Sequence, residues 1–162
     1  MKFTVELDQD PLDGVLRYLD ADYAFTFDAG SPEEVLERTG SNGITSLSVG
    51  TLQIEVGVET GVALFVWGLH PRATWQYRQL GAPAFVPGGV RVDAAETLRR
   101  GVSVQIAAVA TWATWFDNET GWVRIAADPV SSSDQEVLVA TGVVLGLSEN
   151  QLDSLWLQPV FD

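Results

Sequence analysis

Apolar residues recur at every second position over much of this chain, and that alternation predicts strands. Phe3, Val5 and Leu7 open with it, as a half-buried strand requires. Tyr23-Ala-Phe25-Thr-Phe27 repeats it. Leu47, Val49, Leu52, Ile54, Val56 and Val58 sustain it, with a break at Gly50 that reads as a bulge shifting the alternation. Glu59-Thr60-Gly61 then turns the chain into Val62 to Trp67, an almost wholly apolar run that reads as the buried arm of a hairpin. A further run passes through Val102, Val104, Ile106, Ala108 and Ala110 to Trp112, Thr114 and Phe116. Asp117-Asn-Glu-Thr-Gly121 is a turn, and Trp122-Val-Arg-Ile125 returns from it.

Two segments follow a helical period instead. Asp10-Pro11 offers an N-cap and a proline at the first helical position, and Leu12, Val15, Leu16 and Leu19 follow at helical spacing. Ser31-Pro32-Glu33-Glu34 is a capping box, and Gly40 is a natural stop. Asp93-Ala-Ala-Glu96 caps a brief helical stretch ending at Gly101. Over residues 134–147 the two periods compete, because Ser133 and Glu136 also form a capping box. Thr141-Gly142-Val143-Val144 is a poor helix interior, which favours strand. No internal repeat and no low-complexity tract stands out. The expected fold is α+β: one globular domain over residues 1–162, a predominantly antiparallel β-sheet meander with two short N-terminal helices.

Charge changes the picture more than composition does. The net charge is −13, with eight arginines and one lysine against 22 acids. Nucleic acid needs clustered cations, so direct nucleic-acid binding is not expected. The acids are concentrated at the two ends. Residues 1–37 hold ten of them against Lys2 and Arg17, and residues 117–162 hold eight against Arg124. Solvated surface is the plain explanation of such runs; attraction to a basic partner is the functional one. The chain has no cysteine, which excludes disulfides and thiolate metal sites. MKFTVELDQDPLDG lacks the apolar run of a signal peptide, and no stretch is apolar for long enough to span a bilayer. A cytoplasmic location is expected, with no membrane partner.

Candidate chemistry is thin. His70 is the only histidine, so any nucleophile–imidazole pair must use it; within Gly68-Leu-His-Pro71 it reads as a structural turn residue. Asp8, Asp10, Asp13 and Gly14 loosely imitate a calcium loop, but Pro11 lies inside it and the twelfth position is Leu19. Acids at a helix N-terminus explain them better. Asp117 and Glu119 are the paired carboxylates a glycosidase would need, yet two acids in a polar turn are ordinary. Gly88-Gly89 has neither the lysine nor the following helix of a phosphate cradle. No cofactor, metal or enzymatic activity is expected.

Trp67, Trp75, Trp112, Trp115, Trp122 and Trp156 all fall in strand-like segments. Tryptophan dominates cores and binding hot spots alike. Trp112 and Trp115 are three apart, so a regular strand turns them to opposite faces. The acidic opening Glu6–Asp28, the segment Trp115-Phe-Asp-Asn-Glu-Thr-Gly-Trp122 and the closing Leu155-Trp-Leu-Gln-Pro159 resemble bacterial toxin-immunity proteins, at the level of the class. The resemblance implies an inhibitor that covers the basic cleft of a cognate toxin domain. Its contacts would come from Asp117, Glu119 and Trp115, or from the competing patch Asp8, Asp10, Asp13, Asp20 and Asp22. A small-ligand or carbohydrate-binding β domain with tryptophan platforms is the alternative.

Overall fold

Leu12, Leu16 and Tyr18 are buried at even spacing, so the residues that suit a helix also satisfy a strand period. The structure, a computed structural model, describes residues 1–93, 97–106 and 111–162 and resolves this ambiguity in favour of strand. After β1 (Lys2–Glu6), β2 (Gly14–Leu19) pairs along its length with β3 (Ala24–Ala29), Gly14 opposite Ala29 and Leu19 opposite Ala24. Leu12 donates its N–H to the Val139 carbonyl at 2.8 Å, and its own carbonyl accepts from the Thr141 N–H at 3.0 Å. Those long-range bonds take the backbone groups a helix would need, which is why the first expected helix is absent.

The second expected helix is present as α1 (Pro32–Thr39), where the Ser31 hydroxyl oxygen accepts from the Glu34 N–H at 3.3 Å. Among the described residues it is the only α-helix, accompanied by one 3-10 turn at Arg72–Thr74. The α+β expectation with two N-terminal helices is therefore corrected to a β architecture carrying one short helix. Of the brief helix expected from Asp93 to Gly101, residues 94–96 lie outside the described residues, Asp93 ends a strand and residues 97–101 are turn and bridge rather than helix. The Ala108–Ala110 part of the expected strand also lies outside the described residues. No helix among the described residues is long and apolar enough to cross a membrane.

The remaining strands are β4 (Ile44–Val49), β5 (Leu52–Gly57), β6 (Ala63–Leu69), β7 (Gln76–Tyr77), β8 (Val86–Pro87), β9 (Gly89–Asp93), β10 (Val104–Gln105), β11 (Ala113–Phe116), β12 (Val123–Ala126), β13 (Gln135–Ala140), β14 (Val143–Ser148), β15 (Gln151–Leu157) and β16 (Val160–Phe161). Gly50 is not a bulge. Val49 pairs with Leu52, so Gly50-Thr51 is a two-residue hairpin turn, and the register shift lies between Ile54 and Val56 instead.

Among the described residues, two seven-stranded sheets and a β1–β9 ribbon result. The first sheet runs β10-β4-β5-β6-β3-β2-β16 and the second β7-β11-β12-β15-β14-β13-β8. In each, the outermost pairings are parallel and the five central strands are antiparallel. The four outermost strands are two residues long, which leaves little open edge for intermolecular pairing.

The two five-stranded centres have the same connectivity. A hairpin (β2–β3, β11–β12) is followed by a three-stranded meander (β4–β6, β13–β15) whose last strand returns to the second strand of the hairpin. Registers coincide as well. Tyr18 opposes Phe25, which opposes Gly68, which opposes Leu52; Phe116 opposes Val123, which opposes Leu157, which opposes Val143. The chain leaving each meander crosses to the other sheet: β7 adds parallel to β11, with Tyr77 at Phe116, and β16 adds parallel to β2, with Phe161 at Tyr18. The fold is thus internally duplicated, although no repeat stands out in the sequence. Equivalent positions share register rather than residue type, Gly68 matching Leu157 and Thr114 matching Leu16, so the duplication does not show as sequence self-similarity.

Both sheets contribute to one core, with Leu47, Leu52, Ile54 and Leu64 from the first meeting Val123, Val137, Leu145 and Leu155 from the second. The equivalent meander turns contain Gly50 and Gly142, both with positive φ (61° and 75°). A Cβ at Gly142 would meet the Gln158 carbonyl oxygen at 2.7 Å, whereas one at Gly50 meets nothing within 4 Å. Gly142→Ala is expected to cost about 2 kcal/mol or more, from backbone strain plus clash. Gly50→Ala should cost about 1 kcal/mol, from strain alone. Urea midpoints of the two variants measure the difference.

Candidate functional site

Asp117, expected on the surface, is only 3% exposed. Its carboxylate accepts from the backbone N–H groups of Leu80 (2.9 Å), Glu119 (3.0 Å) and Thr120 (3.4 Å). The Leu80 bond above all holds its carboxyl below the usual range. This aspartate shapes the β11–β12 turn and ties it to the loop after β7. Glu119 beside it is exposed. Trp115 is buried as well, in a second apolar cluster with Leu80, Trp122, Ala126, Val144 and Trp156 on the second sheet.

Arg124 completes that layer. Its guanidinium carbon lies 4.9 Å from the centre of the Trp156 ring, while Nη1 donates to the Pro129 carbonyl at 2.6 Å and Nη2 to the Ser131 carbonyl. Burial pulls its pKa down and pushes that of Glu136 up. The cation thus pins the loop between β12 and β13 and offers no charge to a partner.

Asp8, Asp10, Asp13, Asp20 and Asp22 are all exposed. They do not form one patch. Asp8, Asp10 and Asp13 precede β2, Asp20 and Asp22 follow it, and a strand of that length separates the groups by roughly 20 Å. Exposed Leu7 lies beside Asp8 in the first group, whereas the second group adjoins exposed tyrosines as well as an exposed leucine. Tyr23 is 59% exposed, Leu69 60% and Tyr77 64%. The Tyr23 carbonyl accepts from the His70 N–H at 2.6 Å, and Leu69 opposes Ala24. Arg72 reaches Asp20 at 3.4 Å and packs over Phe116, whose ring also meets Tyr77. Asp162 joins from the last strand through its carbonyl, which accepts from the Asp20 N–H at 3.3 Å.

A cleft of about 410 Å³ opens beside this rim, lined by Thr51, His70, Pro71, Thr74, Trp112, Ala113 and Thr114. His70 is its centre. Nδ1 lies 3.2 Å from the Thr51 hydroxyl of the first sheet's turn, and Nε2 lies 2.7 Å from the Thr114 hydroxyl of the second sheet. Burial pulls the imidazole down to about 4, so it is neutral at pH 7. A neutral, twice-bonded imidazole holds the sheets together; so low a pKa makes it a weak general base. Among the described residues no group of three or more His, Cys, Asp or Glu is placed to hold a metal ion.

Of the six tryptophans only Trp67, 42% exposed, and half-buried Trp112 come near the surface. Trp67 donates its indole N–H to Glu55 at 2.6 Å. A platform role is thus narrowed to these two rings. No protein-family model matches the chain, and no curated protein matches it.

Sequence reasoning brought out His70 and Trp112 as residue types but missed the cleft. Thr51 and Thr114 lie 19 and 44 residues from His70, and no local pattern links them. The Leu-His-Pro segment at the end of β6 was the only available signal.

Proposed function

We propose that the chain is an immunity-type inhibitor that binds and blocks a cognate toxin domain with a basic cleft. The interface in this reading is the acidic, tyrosine-bearing rim where β2 ends. The observation that carries it is the meeting of Asp20, Asp22 and Asp162 with the exposed side chains of Tyr23, Leu69 and Tyr77. Exposed tyrosines give large contact area at small conformational cost, and surrounding acids steer a cationic partner into place. The net charge of −13 works in the same direction. Steric coverage of the partner's cleft is then the mechanism, with no chemistry asked of this chain. The reading places the protein in a reducing cytoplasm, which suits a chain without cysteine.

A cationic toxin domain isolated from the native host is the partner to test. Its association rate should fall as salt rises. Asp20→Lys with Asp22→Lys is expected to slow association about tenfold, while Asp8→Lys with Asp10→Lys changes it by less than about twofold. The opposite ranking moves the interface to the other end of β2. Salt-insensitive association, unchanged in both variants, defeats acidic steering.

A further inference from the structure

The internal duplication supplies a control for the His70 cleft. By register, Thr51 corresponds to Gly142, Thr114 to Leu16 and His70 to Pro159. At that second junction the gap is closed: a Cβ on Gly142 would lie 2.7 Å from the Gln158 carbonyl oxygen and 3.6 Å from Leu16 Cβ. Pro159 there is buried. A glycine, a leucine and a proline therefore suffice to join the sheets. The threonine–histidine–threonine set and the open cleft beside it exceed what that joint requires.

The cleft lining is polar but carries no formal charge. Burying an unpaired ionic group there has no compensation, which argues against acids, amines and phosphates as ligands. A neutral imidazole has one N–H and one bare nitrogen. One of Thr51 and Thr114 must therefore accept from the ring and the other donate to it. The accepting hydroxyl keeps its own O–H to give, and the donating one keeps lone pairs to receive. Thr74 Oγ1 donates to the Pro71 carbonyl at 2.9 Å, so it too has only acceptor capacity left. A ligand hydroxyl, which both donates and accepts, matches this set. Half-buried Trp112, with Pro71 and Ala113, supplies the apolar surface on which the C–H face of a sugar ring rests. The volume, about 410 Å³, lies within the usual range for small-molecule sites.

We propose that the cleft between Thr51, His70, Trp112 and Thr114 binds a small, uncharged, hydroxyl-rich ligand of the monosaccharide or cyclic polyol class. This goes beyond the inhibitor reading and does not depend on it, because the site is complete in the isolated chain.

The test uses the full chain without any protein partner. Neutral hexoses, pentoses and inositol are titrated by calorimetry and saturation-transfer NMR beside glucuronate, glucosamine and glucose 6-phosphate. At least one neutral compound should bind saturably and its charged counterpart about tenfold more weakly or not at all. Trp112→Ala should weaken binding about tenfold. Thr51→Val, at an exposed turn position and with its urea unfolding measured beside the parent's, should weaken it about threefold or more. If Trp112→Ala does not fold, Thr51→Val decides. The proposal is overturned if no neutral compound saturates, if charged counterparts bind as well, or if Thr51→Val leaves affinity unchanged. A failure here with toxin binding intact removes the ligand site alone; the converse removes the inhibitor reading alone.

Discussion

Asp117→Lys is expected to destabilise this protein strongly, whereas Glu119→Lys, two residues on, should be nearly silent. The lysine would strip acceptors from three backbone N–H groups, those of Leu80, Glu119 and Thr120. It would also place a cation at a position that is 3% exposed. Unmet donors of this kind cost far more than the net worth of the bonds they replace, and a second penalty comes from the misplaced charge. Together they should raise the unfolded population by roughly a hundredfold or more. Asp117→Asn keeps one carbonyl oxygen in place and should fall between the two. Urea unfolding followed by tryptophan fluorescence orders the three variants. An Asp117→Lys protein as stable as the parent would show that the turn does not depend on this carboxylate.

Acidification should weaken the fold through His70 before the carboxylates titrate. Burial pulls the folded-state pKa down to about 4, against 6.5 for the free side chain. Between those values the unfolded chain binds the proton that the folded chain refuses, so stability falls as pH drops from 6.5 to 4 and levels off below. The full window is worth roughly 3 kcal/mol at about 1.4 kcal/mol per pH unit. Glu136 acts in the opposite direction, because burial raises its pKa and folding then takes up a proton. Asp117 matters only below its ordinary 3.8, where its depressed pKa makes protonation costly. His70→Asn, which retains polar contacts without titrating, isolates the histidine. The difference in unfolding free energy between parent and variant should slope across pH 6.5–4.5 and be flat above pH 7. A flat difference throughout would mean that the imidazole titrates normally and is not enclosed.

Much of the strand order along the chain was legible because turn chemistry and period-two alternation act within a few residues. Glu59-Thr60-Gly61 and Asp117–Gly121 turn where expected, and residues 134–147 form strand, as the poor helix interior at Thr141–Val144 requires. α1 was legible too, since Ser31, Pro32 and Glu34 carry their own start signal. Leu12–Leu19 was misread because its apolar spacing fits both periods, and only its partners in β3 and β13 separate them. The acids show the same division. Composition reveals how many there are, but whether one faces water or caps a turn depends on what the loop after β7 brings to it.

Local sequence was enough for the turns at Glu59–Gly61 and Asp117–Gly121, for α1, for the number of acids and for the absence of thiol chemistry. All of these follow from interactions within about four residues or from simple counts. Tertiary structure alone decided that two five-stranded units would exchange their following strands. It also decided that Asp117 and Trp115 would be buried, and that Thr51, His70 and Thr114 would meet around a cleft. Those outcomes join residues tens of positions apart, and loop closure over such distances leaves no periodic trace in the chain. What selects them is the joint burial of both sheets against one core.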